Sequence, residues 1–115
     1  MSNMISNVFM IPFHVTPTKN SIMPEGLAGA YVRCYSGSKS FEEAMKVSVE
    51  KLQSDGLYPE EALEPFEQMD SSQWHLHIGD DWPDHVDGLL SQDEFNTAMS
   101  EGRVVYGPFG AYNPQ

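Results

Sequence analysis

The stretch "SFEEAMKVSVEKLQSDG", residues 40–56, constrains the fold more than any other. Ser40 followed three residues later by Glu43 is a capping box, which satisfies free N–H groups at a helix start. Phe41, Ala44, Met45, Val49 and Leu52 recur at helical spacing and form one apolar stripe. Gly56 stands where a helix ends in a left-handed residue. A stripe of this kind must be buried against another element. The segment before it, "GAYVRCYS", alternates with period two: Ala30, Val32 and Cys34 on one side, Tyr31, Arg33 and Tyr35 on the other. Strand and capped helix in succession predict a β-α-β unit that packs the helix on a sheet.

The remaining segments extend this pattern. "NVFMIPFHVTP" alternates Phe9, Ile11, Phe13 and Val15 against Val8, Met10, Pro12 and His14. Pro12 has no N–H to donate, so this strand is expected at a sheet edge or bulged. Pro59 and Pro65 argue for a loop in "LYPEEALEPFEQMD", with a short strand near Pro65–Met69. Residues 70–82 carry two periodicities. Trp74, Leu76 and Ile78 alternate as in a strand, while Trp74, Ile78 and Trp82 recur every four residues as in a helix. An N-cap at Asp70 or Ser71 and a stop at Pro83 favour the helix. Ser91 and Glu94 form a second capping box, with Phe95, Ala98 and Met99 facing inward and Gly102 closing the helix. "RVVYGPF" reads as a last strand, and the tail "GAYNPQ" as loose or docked through Phe109 and Tyr112.

The expected fold is a single α+β domain over residues 1–115. It is a two-layer sandwich: a small, mostly antiparallel sheet of about four strands, with two or three helices on one face. It is related to split-βαβ arrangements without matching one closely.

Charge bounds the function. The net charge is −11, and it is concentrated. Residues 52–102 contain thirteen acidic side chains and no lysine or arginine, whereas residues 1–51 are close to balanced. Such a field repels nucleic acid and anionic membranes and attracts cationic partners. Acidity of this order also serves solubility alone, in an orphan structural domain. The N-terminus lacks a basic region, and Pro12 interrupts its apolar run, so no leader peptide or membrane anchor is expected. A single cysteine, Cys34, in an apolar run fits a core position in a reducing, cytoplasmic setting better than a nucleophile.

The densest chemistry is "WHLHIGDDWPDHVDG", residues 74–88. On a strand, His75 and His77 share a face, and Asp81 and His85 complete a set suited to a metal enzyme or sensor. On a helix, at 100° per residue, the two histidines point about 200° apart and cannot share a metal. His77 and Asp81 then lie together at i, i+4. Part of the cupin first motif occurs in His75, His77, Asp81 and Gly88. Met69 replaces its first glycine, Asp81 its glutamate, and Asn113 the last histidine of the second motif. Two capped helices also fit a many-stranded barrel poorly, so the spacing carries no family membership. No nucleophile elbow, zinc-protease or Cys-His signature is present, and a non-enzyme without cofactor is expected.

These features point to a protein-binding domain that docks a cationic protein. Its most concrete form is an immunity- or antitoxin-like inhibitor covering the basic groove of a nuclease-type toxin. Glu60, Glu61, Glu64, Asp80, Asp81, Asp84 and Asp87 would steer and pair, with Trp82 as the anchor.

Overall fold

The computed structural model describes residues 7–114; the first six residues of the stretch weighed as a leader, and Gln115 of the tail, lie outside them. The elements in chain order are β1 (Asn7–Pro17), β2 (Gly29–Ser36), α1 (Phe41–Ser54), β3 (Leu57–Ala62), β4 (Glu67–Asp70), α2 (Trp74–Asp81), α3 (Gln92–Ser100), β5 (Val105–Tyr106) and β6 (Gly110–Tyr112). Single 3₁₀ turns at Ser71–Gln73 and Val86–Gly88 precede α2 and α3.

The sheet order is β3-β1-β2-β5, with β4 pairing β1 and β6 pairing β2, all antiparallel. β2 and β3 both run against β1, so they are parallel to each other with β1 between them. The β-α-β unit is therefore split, and α1 connects two strands that do not touch. The capped helix forms as its sequence dictates: Ser40 Oγ accepts from Glu43 N, and Gly56 takes φ +75°. Glu43 closes its half of the box one residue early, accepting from Lys39 N at 3.0 Å.

β1 is central, which corrects the edge position expected for Pro12. The N and C=O of a strand residue point to the same neighbour. The Pro12 carbonyl accepts from Leu63 N at 2.8 Å, on the side where β3 has ended and β4 has not begun. The absent N–H thus faces a gap in the partner strands and costs no ladder bond. The irregularity falls beside it: His14 pairs Glu61 and Val15 pairs Pro59, leaving Glu60 inserted as a bulge. Residues 57–62, expected as loop, form edge strand β3. Pro59 is tolerated there because one side of an edge strand has no ladder. The tail is docked: Gly110–Tyr112 adds to β2.

The α+β class and the antiparallel sheet are as expected, while the helices divide between the two faces. On one face, Phe9, Ile11, Phe13, Val15, Ala30, Val32 and Cys34 pack under Ala44 and Leu52 of α1. On the other, Val8, Met10 and Tyr35 pack under Trp74 and Ile78 of α2 and Phe95, Ala98 and Met99 of α3. Both faces of β1 are apolar at its start because both are covered there. The Trp74 and Phe95 rings stack with centroids 4.1 Å apart, and Trp74 Nε1 donates to Leu90 O at 2.8 Å. Among the described residues no helix is long and apolar enough to cross a membrane.

Candidate functional site

α2 begins where Asp70 caps the preceding 3₁₀ turn, its side chain accepting from Ser72 N. Trp74 and Ile78 then fall on the buried face, and His77 lies beside them toward β2. Tyr35 Oη lies 2.7 Å from His77 Nε2, and Arg33 Nη1 lies 3.5 Å from the same nitrogen. A guanidinium has no lone pair to offer, so Nε2 is the acceptor and the neutral ring carries its proton on Nδ1. That proton is on the side of Asp81 Oδ2, 3.7 Å away. Burial holds the His77 pKa below its ordinary value; Asp81 opposes this shift and Arg33 adds to it. Arg33 also bonds Asp81 at 3.1 Å and lies 5.2 Å above the Trp82 ring. Burial raises the Tyr35 hydroxyl well above its ordinary range. Tyr35, Arg33, His77 and Asp81 thus hold one another, and the cluster fastens α2 to β2.

The residues singled out from sequence separate into groups. His75 and His85 are exposed, while His77 turns inward and meets Asp81, as a helix requires. Among the described residues no three His, Cys, Asp or Glu side chains converge as metal ligands. Glu60 and Glu61 lie on β3 and Glu64 in the loop after it. Asp80 and Asp81 end α2, and Asp84 and Asp87 follow in the next loop. All seven carboxylates are exposed. Only Asp81 among them forms an ion pair with a described residue. Glu60 accepts from the Thr16 hydroxyl at 2.7 Å. The Trp82 indole is half-buried: it stacks under Arg33, meets Tyr35 edge-on and covers Gly107 so closely that a Cβ there would come within 2.9 Å of the ring.

A second surface emerges only from strand register. α2 and α3 cover the start of β1 and the end of β2, leaving the other half of that sheet face without a helix. His14 is paired with Tyr31 on one side and Glu61 on the other, and Thr16 with Tyr58. These five side chains therefore share a face with Arg33. Tyr31 and Tyr58 are 52% and 54% exposed. His14 stacks on Tyr31 with centroids 4.9 Å apart and its Nε2 lies 2.6 Å from Tyr112 Oη. Tyr112 in turn lies over Gly29, where any Cβ would collide with the phenol. The alternation of Tyr31 and Arg33 against Ala30, Val32 and Cys34 already signals this face. The roles of His14 and Tyr112, 98 residues apart, leave no local signal.

A cavity of about 760 Å³ lies between α1 and the turn into β5. On its polar wall Asp55 accepts from Tyr106 Oη at 2.7 Å and pairs with Lys51 at 3.3 Å.

No family model, curated protein or solved structure matches this chain.

Proposed function

We propose that this chain is a non-catalytic binding domain for a cationic protein. The observation that supports this is the state of its carboxylates. Glu60, Glu61, Glu64, Asp80, Asp84 and Asp87 are exposed and pair with no described cation, in a 51-residue span that has no lysine or arginine. None of them is neutralised by a described cation, and exposed charge of one sign accelerates capture of the opposite sign. A small acidic domain without a catalytic constellation suits an inhibitor of the immunity or antitoxin kind, laid over the basic groove of a nuclease-type toxin. Asp81 and Trp82 serve this function less directly, being held by Arg33, Tyr35 and Gly107.

Affinity capture from the source cell, repeated across salt concentrations, tests the proposal. The expected partner is a basic protein whose association rate falls steeply as salt rises. Charge reversal at Asp80, Asp84 and Asp87 should leave the fold intact and slow that association. Capture that is indifferent to salt and to these substitutions, or no capture at all, would return the acidity to a role in solubility.

A further inference from the structure

We infer that the helix-free half of the sheet is a binding face for arginine side chains of the cationic partner. It rests on the reading above and names the place and the chemistry of contact.

Three observations carry it. The first is topological. Tyr31 on β2 and Tyr58 on β3 stand on either side of β1, both more than half exposed, with no helix over them. Tyrosine concentrates binding energy at interfaces. The second is charge. Glu61 lies opposite His14 on this face, and Glu60 bulges out beside it against Thr16. Strand spacing puts Glu61 about 10 Å from Tyr31 across β1. Aromatic rings beside unpaired carboxylates offer a cation both a π-face and an acceptor.

The third observation distinguishes arginine from lysine. The same face already holds one guanidinium: Arg33 lies 5.2 Å above Trp82 and bonds Asp81 at 3.1 Å. This grip of ring and carboxylate stands two residues along β2 from Tyr31. A planar, weakly hydrated guanidinium can stack on a ring and fork to a carboxylate at once, which a compact ammonium does less well. Tyr58 with Glu60 and Glu61 brings a ring and carboxylates together as in that grip, and Tyr31 stacked with His14 adds a second aromatic surface across β1. Arg33 itself is neutralised by Asp81 and forms the border of the face toward α2.

The experiment titrates two peptides into isotope-labelled full-length protein at low salt: one alternating arginine with glycine, the other lysine with glycine. The expected result is amide shifts centred on Tyr31, Tyr58, Glu60 and Glu61, with the arginine peptide bound several-fold tighter. Tyr58→Ala, which removes a ring with no aromatic partner, should weaken the arginine peptide roughly two- to five-fold. Glu61→Gln should weaken both peptides, and Asp87→Asn neither at this face. Shifts centred on residues 80–87 with equal affinity for both peptides would overturn the arginine face and leave the cation-binding reading standing. No binding of either peptide at low salt would overturn both.

Discussion

Replacing Tyr35 by Phe isolates the bond that fastens α2 to the sheet. The Tyr35 ring is fully buried and packs edge-on against Trp74, with centroids 5.0 Å apart, and against Phe95 at 6.1 Å. Phenylalanine keeps those contacts and removes only the hydroxyl that reaches His77 Nε2 at 2.7 Å. A net hydrogen bond of this kind contributes about 1 kcal/mol. The deletion leaves Nε2 with Arg33 alone, at 3.5 Å, so the cost belongs in the upper part of the usual 0.5–1.5 kcal/mol range. For a chain of this length that is a drop in Tm of about 4 °C. The effect also depends on pH in a defined direction. The hydroxyl donates to Nε2 only while that nitrogen is unprotonated, so its loss raises the His77 pKa. In the native protein burial holds that pKa below its unfolded value. The stability linked to His77 is therefore fully present above the ordinary imidazole pKa and is lost as pH falls toward the folded one. In Tyr35→Phe the two values lie closer, so the variant loses less on acidification. Its deficit relative to the native protein should shrink between about pH 8 and about pH 5. Urea unfolding across this range measures the deficit, and imidazole proton shifts report the His77 titration. An unchanged midpoint together with an unmoved His77 titration would refute the Tyr35–His77 bond and the neutral tautomer inferred from it.

Three further outcomes follow from the packing. Trp74→Ala should cost about 3–5 kcal/mol in urea unfolding, because it opens a void beside Phe95 and frees Leu90 O as well. A loss below about 1 kcal/mol would mean that α2 is not seated on the core. Cys34 is fully buried and its thiol is pushed up to about 12 by desolvation, so a water-soluble disulfide reagent should react with it only after urea unfolds the chain. Rapid reaction of the native protein would contradict that burial. Gly29→Ala should lower the melting temperature and detach Tyr112, seen as loss of the His14–Tyr112 coupling, since a Cβ there collides with the phenol and comes within 2.9 Å of Val15 O. A variant as stable as the native protein would show that Tyr112 does not lie over Gly29.

What was legible in the sequence was what is decided locally. Both capping boxes open helices where expected, and at Ser91 the box is complete in both directions. The competing periodicities of residues 70–82 resolve as helix because Trp74 and Ile78 share a core with Phe95, four residues apart on one face. Strand order was not legible, and Pro12 shows why. Its missing donor argues for an edge only if the neighbouring strand is continuous, and here that neighbour is broken between Ala62 and Glu67. Likewise Pro59 marks a loop unless the strand has one free side, which β3 has. Placing helices on both faces required knowing that Val8 and Met10 face α2 and α3 while Phe9 and Ile11 face α1. An alternating strand buried on both faces looks the same in sequence as one buried on one.

The site follows the same division. Helical geometry alone separated His75 from His77, and it joined His77 to Asp81. It could not reveal that Arg33, 48 residues away, would claim Asp81, or that the Trp82 ring would close over Gly107. That pairing changes the meaning of the acidic segment. The one carboxylate of the proposed set with an internal cation sits at the edge of the helix-free face, and its partner is gripped by a ring and an oxygen together. The remaining carboxylates have no such cation among the described residues, and two of them, Glu60 and Glu61, follow exposed Tyr58 along β3. A fold that satisfies its own arginine in this way and leaves the same elements open beside it is preorganised for another arginine, since the rings and strands are already ordered before a partner arrives.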